Sequence, residues 1–186
     1  MKKDYLKLLL LITLFIFLDQ VIKLLISGWY THTQFNIIGG ILYFKPVLNT
    51  KLSWINSWFN LGISFIAHVL FNLFIIFIVI YVFKYCKTKY RIDKQIYFTF
   101  IFFLSGAFCS LIDKIFWGGS LDYIGIKGFF IFDLKDIYIS ISEMLLIIYF
   151  ITYIIKNPEI LKTNYKRDML EIKEFIKFVR KDIFRT

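Results

Sequence analysis

The sequence predicts a membrane all-α bundle of four transmembrane helices with small extracytoplasmic β elements. Of its 186 residues, 59% are hydrophobic, and 23 are Phe and 12 are Tyr. The mean hydropathy of +0.68 lies far above that of an ordinary soluble domain. The other two observations are the lengths of the apolar segments and the distribution of Lys and Arg between them.

Four apolar segments reach the length of about 20 residues that a helix needs to cross the hydrocarbon core. They are Tyr5–Ile26, Leu61–Phe83, Ile96–Phe116 and Ile137–Ile155. The first could be mistaken for a cleaved signal peptide. However, Asp19 and Lys23 interrupt it, and the following "ISGWYTH" contains no small-x-small cleavage site. We therefore interpret it as a retained span.

The basic residues predict the orientation of these spans. Lys2, Lys3 and Lys7 lie before or at the start of the first span, five lie between the second and third, and nine follow the fourth. The two remaining loops contain only Lys45, Lys51, Lys127 and Lys135. Because Lys and Arg stay on the cytoplasmic side, both chain termini are expected in the cytoplasm and the two sparse loops outside. The net charge of +10 then describes the cytoplasmic face, and no nucleic-acid partner is predicted.

The two outer loops contain β-prone runs. In "FNIIGGILYFKPVLNT" a glycine pair precedes such a run, and Pro46 is expected to limit its extension. In "DYIGIKGFFIFDL", Gly125 and Gly128 separate aromatic and β-branched residues. Both loops are predicted to form short strands that lie on the membrane surface.

The chain is predicted to divide into a membrane domain, residues 1–156, and a basic cytoplasmic amphipathic tail, residues 157–186. Apolar residues recur at helical spacing in the tail, with Lys and Arg between them: Ile172, Phe175, Ile176, Val179 and Ile183. This pattern favours a helix that rests on anionic lipid. A solvated tail with fortuitous periodicity is the alternative.

Several acidic residues occur where charge is costly. Asp19 and Lys23 are four residues apart, so they share a helical face and are either a functional pair or an ion pair that holds helices together. Asp122 and Asp136 both lie at the outer membrane boundary. Two carboxylates brought together retain one proton, so such a pair can activate water and protonate a leaving group. This chemistry needs no Ser, Cys, metal or cofactor, and none is predicted.

Five stretches in order resemble lipoprotein signal peptidase, also called signal peptidase II. They are "LDQVIK" (18–23), "LNTKLSW" (48–54), "SGAFCSLIDK" (105–114), "LDYI" (121–124) and "FDLKD" (132–136). The resemblance covers the four spans but not the basic tail. It implies that Asp122 and Asp136 are the catalytic aspartates. The positions that it implies for substrate binding and support are Asp19, Lys23, Asn49, Ser110, Asp113, Lys114 and Asp133, with Asn49 preferred to Asn60.

The function implied by this resemblance is that of an intramembrane aspartic endopeptidase in the bacterial cytoplasmic (inner) membrane. Its substrates would be diacylglyceryl-modified prolipoproteins, cut on the amino side of the lipidated Cys. Its partners would be these precursors and membrane lipids.

Five positions depart from the family pattern, all near the expected active site. Lys51 stands in place of Gly, Ser110 of Asn, Lys114 of Arg, Asp133 of Asn and Lys135 of Ala. Since both aspartates are retained, we expect an active but divergent enzyme. The alternatives are an inactive or respecialised relative that binds lipoprotein precursors, or a small four-helix membrane transporter.

Overall fold

The predicted four-helix membrane bundle is confirmed. A computed structural model describes residues 2–51, 56, 59, 61–90, 92–161 and 165–184. Within these residues, four helices are long and apolar enough to cross a membrane. We label them α1 (Lys2–Leu25), α2 (Phe65–Lys89), α3 (Lys94–Ile112) and α4 (Leu134–Lys156), and a further helix, α5 (Tyr165–Phe184), follows in the tail.

The helix ends differ from the predicted spans where capping decides them. Helix α2 begins at Phe65 rather than Leu61, because Gly62 adopts a φ of 65° and the Ser64 hydroxyl then accepts a hydrogen bond from the Ala67 backbone N–H. The same helix continues beyond Phe83 to Lys89. Its last turns carry Lys residues, which interact favourably with the negative end of the helix dipole.

The two outer loops combine into one antiparallel sheet. Strands β1 (Phe35–Ile38), β2 (Leu42–Asn49), β3 (Ser120–Ile126) and β4 (Ile131–Phe132) lie in the order β1-β2-β3-β4. The β1–β2 turn contains Gly39 and Gly40, whose positive φ values suit glycine. Thus the pairing of β2 with β3 joins segments that precede α2 and follow α3.

The prediction that Pro46 limits the extension of its strand is wrong. Strand β2 passes through Pro46 to Asn49, and the β2–β3 register shifts between Phe44 and Val47. A bulge tolerates proline because the residue there need not donate to the ladder. The part of β2 beyond the bulge pairs Asn49 with Ser120.

Helix α3 packs against α1, α2 and α4, and its contact with α4 is the most extensive. A Cβ atom at Gly106 would lie 2.6 Å from Ile139 Cγ1 and 3.1 Å from the Lys135 carbonyl oxygen. Small residues allow this kind of approach between membrane helices. Gly106 therefore brings the first turns of α4 against α3, beside the loop that carries β3.

The predicted boundary between membrane domain and tail falls where α4 ends. Lys156 closes α4, and a 3-10 turn at Pro158–Leu161 precedes α5. That residues 157–186 form a separate domain stays a prediction.

The orientation of the bundle is testable with reporter fusions. The asymmetry of Lys and Arg predicts that a reporter placed after Lys156 reports the cytoplasm, whereas one inserted beside Lys51 reports the outer side. Activity of an alkaline phosphatase and a fluorescent-protein fusion at each site measures this. Two insertions on the same side would contradict the orientation and the placement of the sheet outside.

Candidate active site

A fully buried ammonium group joins three helices below the sheet. Lys23 Nζ lies 2.9 Å from Asp19 Oδ2, 2.6 Å from Asp113 Oδ2 and 2.7 Å from Asp133 Oδ2. These acids come from α1, from the π-helical turn that continues α3 (Asp113–Trp117), and from the N-terminus of α4. Because unpaired buried charges are costly, the contacts fix the three segments relative to one another. We call these four residues the Lys23 network.

Two further side chains add hydrogen bonds to the Lys23 network. Gln20 Nε2 donates to Asp19 Oδ2 at 3.0 Å and to Asp113 Oδ1 at 3.2 Å. Trp117 Nε1 in turn donates to Gln20 Oε1 at 3.1 Å. Sequence reasoning did not place Gln20 or Trp117 in the site. Gln20 lies inside the motif "LDQVIK", and this position was the signal that could have identified it as a site residue.

The start of α4 fixes the side chain of Asp136. Asp133 is the N-cap residue, and its Oδ1 accepts a hydrogen bond from the Asp136 N–H at 3.3 Å. Asp136 Oδ2 accepts from the Asp133 N–H at 3.2 Å, which completes a capping box. Since Asp133 also bonds Lys23, the position of Asp136 depends on the Lys23 network.

Asp122 is positioned by the sheet. It lies on β3 opposite Val47 of β2. Ser120 Oγ donates to Asp122 Oδ1 at 2.6 Å, and Asn49 Nδ2 donates to Asp122 Oδ2 at 3.3 Å. Sequence reasoning missed Ser120, although alternation along a strand places residues 120 and 122 on the same face.

The structure brings the two predicted acids together. Carboxylate oxygens of Asp122, Asp133 and Asp136 all lie within 4.8 Å of one another. Asp122 is buried, whereas the side chain of Asp136 is 42% exposed. The pair of Asp122 and Asp136 is therefore accessible from outside the protein on the Asp136 side.

The ammonium of Lys135 lies among these carboxylates. Its Nζ is 2.6 Å from Asp133 Oδ2, 3.7 Å from Asp122 Oδ1 and 3.9 Å from Asp136 Oδ1, and it also donates to Ser120 Oγ. The three carboxylates are close enough to hold a metal ion, but Lys135 already supplies a positive charge between them. Lys135 was predicted only as a departure from the family pattern, not as part of the site.

Burial and nearby positive charge shift the pKa values of two of these acids in opposite directions. Burial raises the pKa of Asp122, although Lys135 and the Ser120 hydroxyl oppose this. Burial also disfavours the charged form of Asp133, but the ammonium groups of Lys135 and Lys23 outweigh it and lower the pKa to about 2. The two ammonium groups therefore favour the charged form of Asp133, whereas burial favours the protonated form of Asp122.

The remaining predicted positions lie at the edges of this cluster. Lys114 is buried, and its Nζ donates to the hydroxyl and carbonyl oxygens of Ser110. Lys51 is exposed at the end of β2, where its backbone N–H donates to Asn49 Oδ1 at 3.1 Å. Asn60, the alternative to Asn49, lies outside the described residues.

Comparison with known proteins identifies the family. The family model described as "Signal peptidase (SPase) II" matches residues 11–152. The chain belongs to the signal peptidase II family. It is therefore a peptidase of a family that cleaves signal peptides from prolipoproteins, and a bacterial membrane protein with several apolar helices.

Individual relatives agree with this family assignment. The chain is 28% identical over 130 residues to a lipoprotein signal peptidase of Caldicellulosiruptor bescii, an alignment that covers 69% of this chain and 80% of that protein. Two solved structures of a bacterial membrane enzyme share the fold, with TM-scores of 0.62 and 0.60 and identities of 22% and 23%. They cover 78% and 77% of this chain, and 88% and 92% of their own chains are aligned.

The contact between Asp133 and Lys135 predicts an energetic coupling between them. Lys135→Ala removes positive charge from a cluster in which carboxylates outnumber ammonium groups, so it should lower the thermal unfolding midpoint more than the double variant with Asp133→Asn does. The expected interaction energy is about 0.5–3 kcal/mol. Thermal unfolding of the purified variants in detergent measures it.

Lys114→Ala is the matched control, because its ammonium is also buried but bonds Ser110 rather than Asp133. When Lys114→Ala is combined with Asp133→Asn, the changes in the thermal unfolding midpoint should be closer to additive. Additive effects for Lys135→Ala and Asp133→Asn would show that the two residues are not coupled.

Proposed function

We propose that the protein is an aspartic endopeptidase in which Asp122 and Asp136 form the catalytic pair. It would remove signal peptides from diacylglyceryl-modified prolipoproteins by cutting on the amino side of the lipidated Cys. The observation that carries this proposal is the approach of the two carboxylates to within 4.8 Å, with Asp136 accessible and Asp122 buried.

The pair performs hydrolysis by moving protons between water and the peptide. Because two adjacent carboxylates cannot both ionise cheaply, they hold one proton between them. The ionised oxygen takes a proton from a water molecule, and the water oxygen attacks the scissile carbonyl carbon. The protonated carboxyl then gives its proton to the leaving amine as the C–N bond breaks. The proton belongs to the pair rather than to either residue.

The neighbouring residues position this pair. Asn49 and Ser120 orient the two oxygens of Asp122, and the capping box orients Asp136. Lys135 lies between the two carboxylates and stabilises the negative charge that the pair carries in its singly protonated state. Because these contacts orient both carboxylates before the substrate binds, the side chains need to reorganise less during the reaction.

The surroundings of the sheet suit a lipidated substrate. Trp29, Phe116 and Phe129 are each at least 75% exposed at the end of the bundle that carries the sheet. Trp is enriched at the membrane–water interface, and the two exposed Phe rings add apolar surface at the same end of the bundle. Together with the asymmetry of Lys and Arg, this exposure supports a position of the pair at the outer surface of the bacterial cytoplasmic (inner) membrane, where signal peptide and acyl chains would arrive from within the bilayer. Both termini then lie in the cytoplasm.

A precursor-binding protein without catalysis is the second candidate, and Lys135 is the observation that favours it. An ammonium between the two carboxylates can also hold both in their charged forms, which would leave the pair without a proton to donate. The transporter alternative has no support from the family, whose members are peptidases.

Substitution of each member of the pair tests the proposal. Asp122→Asn and Asp136→Asn should each lower the rate of cleavage of a diacylated precursor by roughly 100-fold or more, because Asn can neither take a proton from water nor give one to the amine. The double variant should be scarcely slower than either single variant, since the acids act as a unit. Rates are measured from the mass change of the precursor.

Two Asp→Asn controls distinguish the loss of a catalytic carboxylate from the loss of a carboxylate that only positions the pair or lies far from it. Asp113→Asn should weaken activity only in part, because it loosens the Lys23 network without removing the pair. Asp93→Asn should leave the rate unchanged, because Asp93 caps α3 at the opposite end and Asn caps helices equally well. Near-parental cleavage by either variant of the pair would exclude the aspartic mechanism.

A further inference from the structure

The tail helix α5 is held against the end of α2. The ring of Tyr85 packs edge-on against Phe175 and Phe178, with centroids 5.5 Å apart in both cases. The hydroxyl of Tyr85 also lies 3.3 Å from carboxylate oxygens of Glu171 and Glu174. These contacts hold one face of α5 against the membrane-spanning helix α2, so α5 does not extend freely from the bundle.

Ion pairs show that α5 is inclined towards the membrane. Lys89, the last residue of α2, pairs with Glu171 and Glu174 at 2.7 Å, whereas Lys84 pairs with Asp182 at 2.9 Å. Lys84 precedes Lys89 by five residues, which is about 7.5 Å along the helix axis. The C-terminal half of α5 therefore lies deeper, on the side of the bilayer, than its first half.

A second face of α5 is apolar, and it differs from the face that makes the ring contacts and ion pairs with α2. At about 100° per residue its members fall within an arc of roughly 80°; we call them the apolar stripe: Tyr165, Met169, Ile172, Ile176, Val179 and Ile183. The residues that contact α2 are centred about 120° away from the middle of this arc. Ile172, Ile176 and Ile183 are 52%, 59% and 48% exposed. The stripe is thus accessible along the length of the helix.

Basic residues border the apolar stripe on the side away from α2. Lys173, Lys177 and Arg180 follow the stripe around the helix, and all three are exposed. An apolar face flanked by Lys and Arg is the pattern of helices that lie in the headgroup region of anionic membranes.

We propose that the apolar stripe of α5 inserts at the boundary of headgroups and acyl chains in the leaflet where α2 ends, with Lys173, Lys177 and Arg180 on anionic phospholipid headgroups. The inclination of α5 brings its C-terminal half to this depth, and the basic border matches the charge of the headgroups. A second copy of the chain is a poorer occupant, because two stripes in contact would bring their basic borders together. The proposal is independent of the peptidase mechanism.

Quenching of a fluorophore by lipid tests the depth of the stripe. Ile176→Cys is labelled with an environment-sensitive dye in the full chain, in nanodiscs of phosphatidylcholine and phosphatidylglycerol in equal parts that carry nitroxide-labelled acyl chains. Lys181→Cys is the matched control, because it is exposed on the opposite side of α5. Ile172→Cys is a second position on the stripe. The unsubstituted protein gives the background from Cys86 and the buried Cys109.

Quenching at Ile176 and Ile172 should exceed that at Lys181 by roughly twofold or more, since an interfacial helix buries its apolar face by about 5–10 Å. It should decrease when phosphatidylcholine replaces phosphatidylglycerol. Equal quenching at the stripe and control positions would overturn the proposal. Quenching that does not depend on phosphatidylglycerol would exclude the contact with anionic headgroups. Protection of the stripe that disappears when the protein is diluted would show that a second copy of the chain covers it.

Discussion

The buried ammonium of Lys23 is the constraint on which the site depends. It needs negative partners because burial of an unpaired charge is costly, and it finds them in Asp19, Asp113 and Asp133. Removing one partner of a buried pair typically costs about 3–5 kcal/mol. Three segments that are distant in sequence are therefore held at one point inside the membrane bundle.

The geometry of the proposed catalytic pair follows from this point. Asp133 uses one oxygen for the two ammonium groups and the other to cap α4, where it fixes Asp136. Lys135 extends the same charge network to Asp122 and Ser120 on β3. Ion pairs and hydrogen bonds thus connect β3 to α4. A small displacement of either element would separate the carboxylates of Asp122 and Asp136.

Local patterns predicted much of this arrangement. Hydropathy located the four spans, and the five motifs selected Asp122, Asp136 and the residues of the Lys23 network. The spacing of Asp19 and Lys23 also indicated their ion pair. It could not indicate the sharing of Lys23 with Asp113 and Asp133, because those contacts exist only after the helices pack. The β2–β3 pairing, which brings Asn49 to Asp122, is hidden from sequence reading for the same reason.

Four of the five departures from the family pattern form two contacting pairs, and Lys51 is the exception. Ser110 and Lys114 bond each other, and Asp133 and Lys135 form an ion pair at 2.6 Å. In each case a changed donor meets a changed acceptor. Such pairing maintains satisfied buried groups, which is expected when a site diverges while its two carboxylates remain in use. It supports a working enzyme more than a vestigial one.

Incubation of the purified protein with a diacylated prolipoprotein, followed by measurement of intact mass, shows whether the chain cleaves its proposed substrate. We expect the precursor mass to disappear and two products to replace it. These are the released signal peptide and a chain that begins at the lipidated Cys. A precursor that binds the protein yet keeps its full mass would exclude the proposed peptidase activity and would identify the chain as a precursor-binding protein.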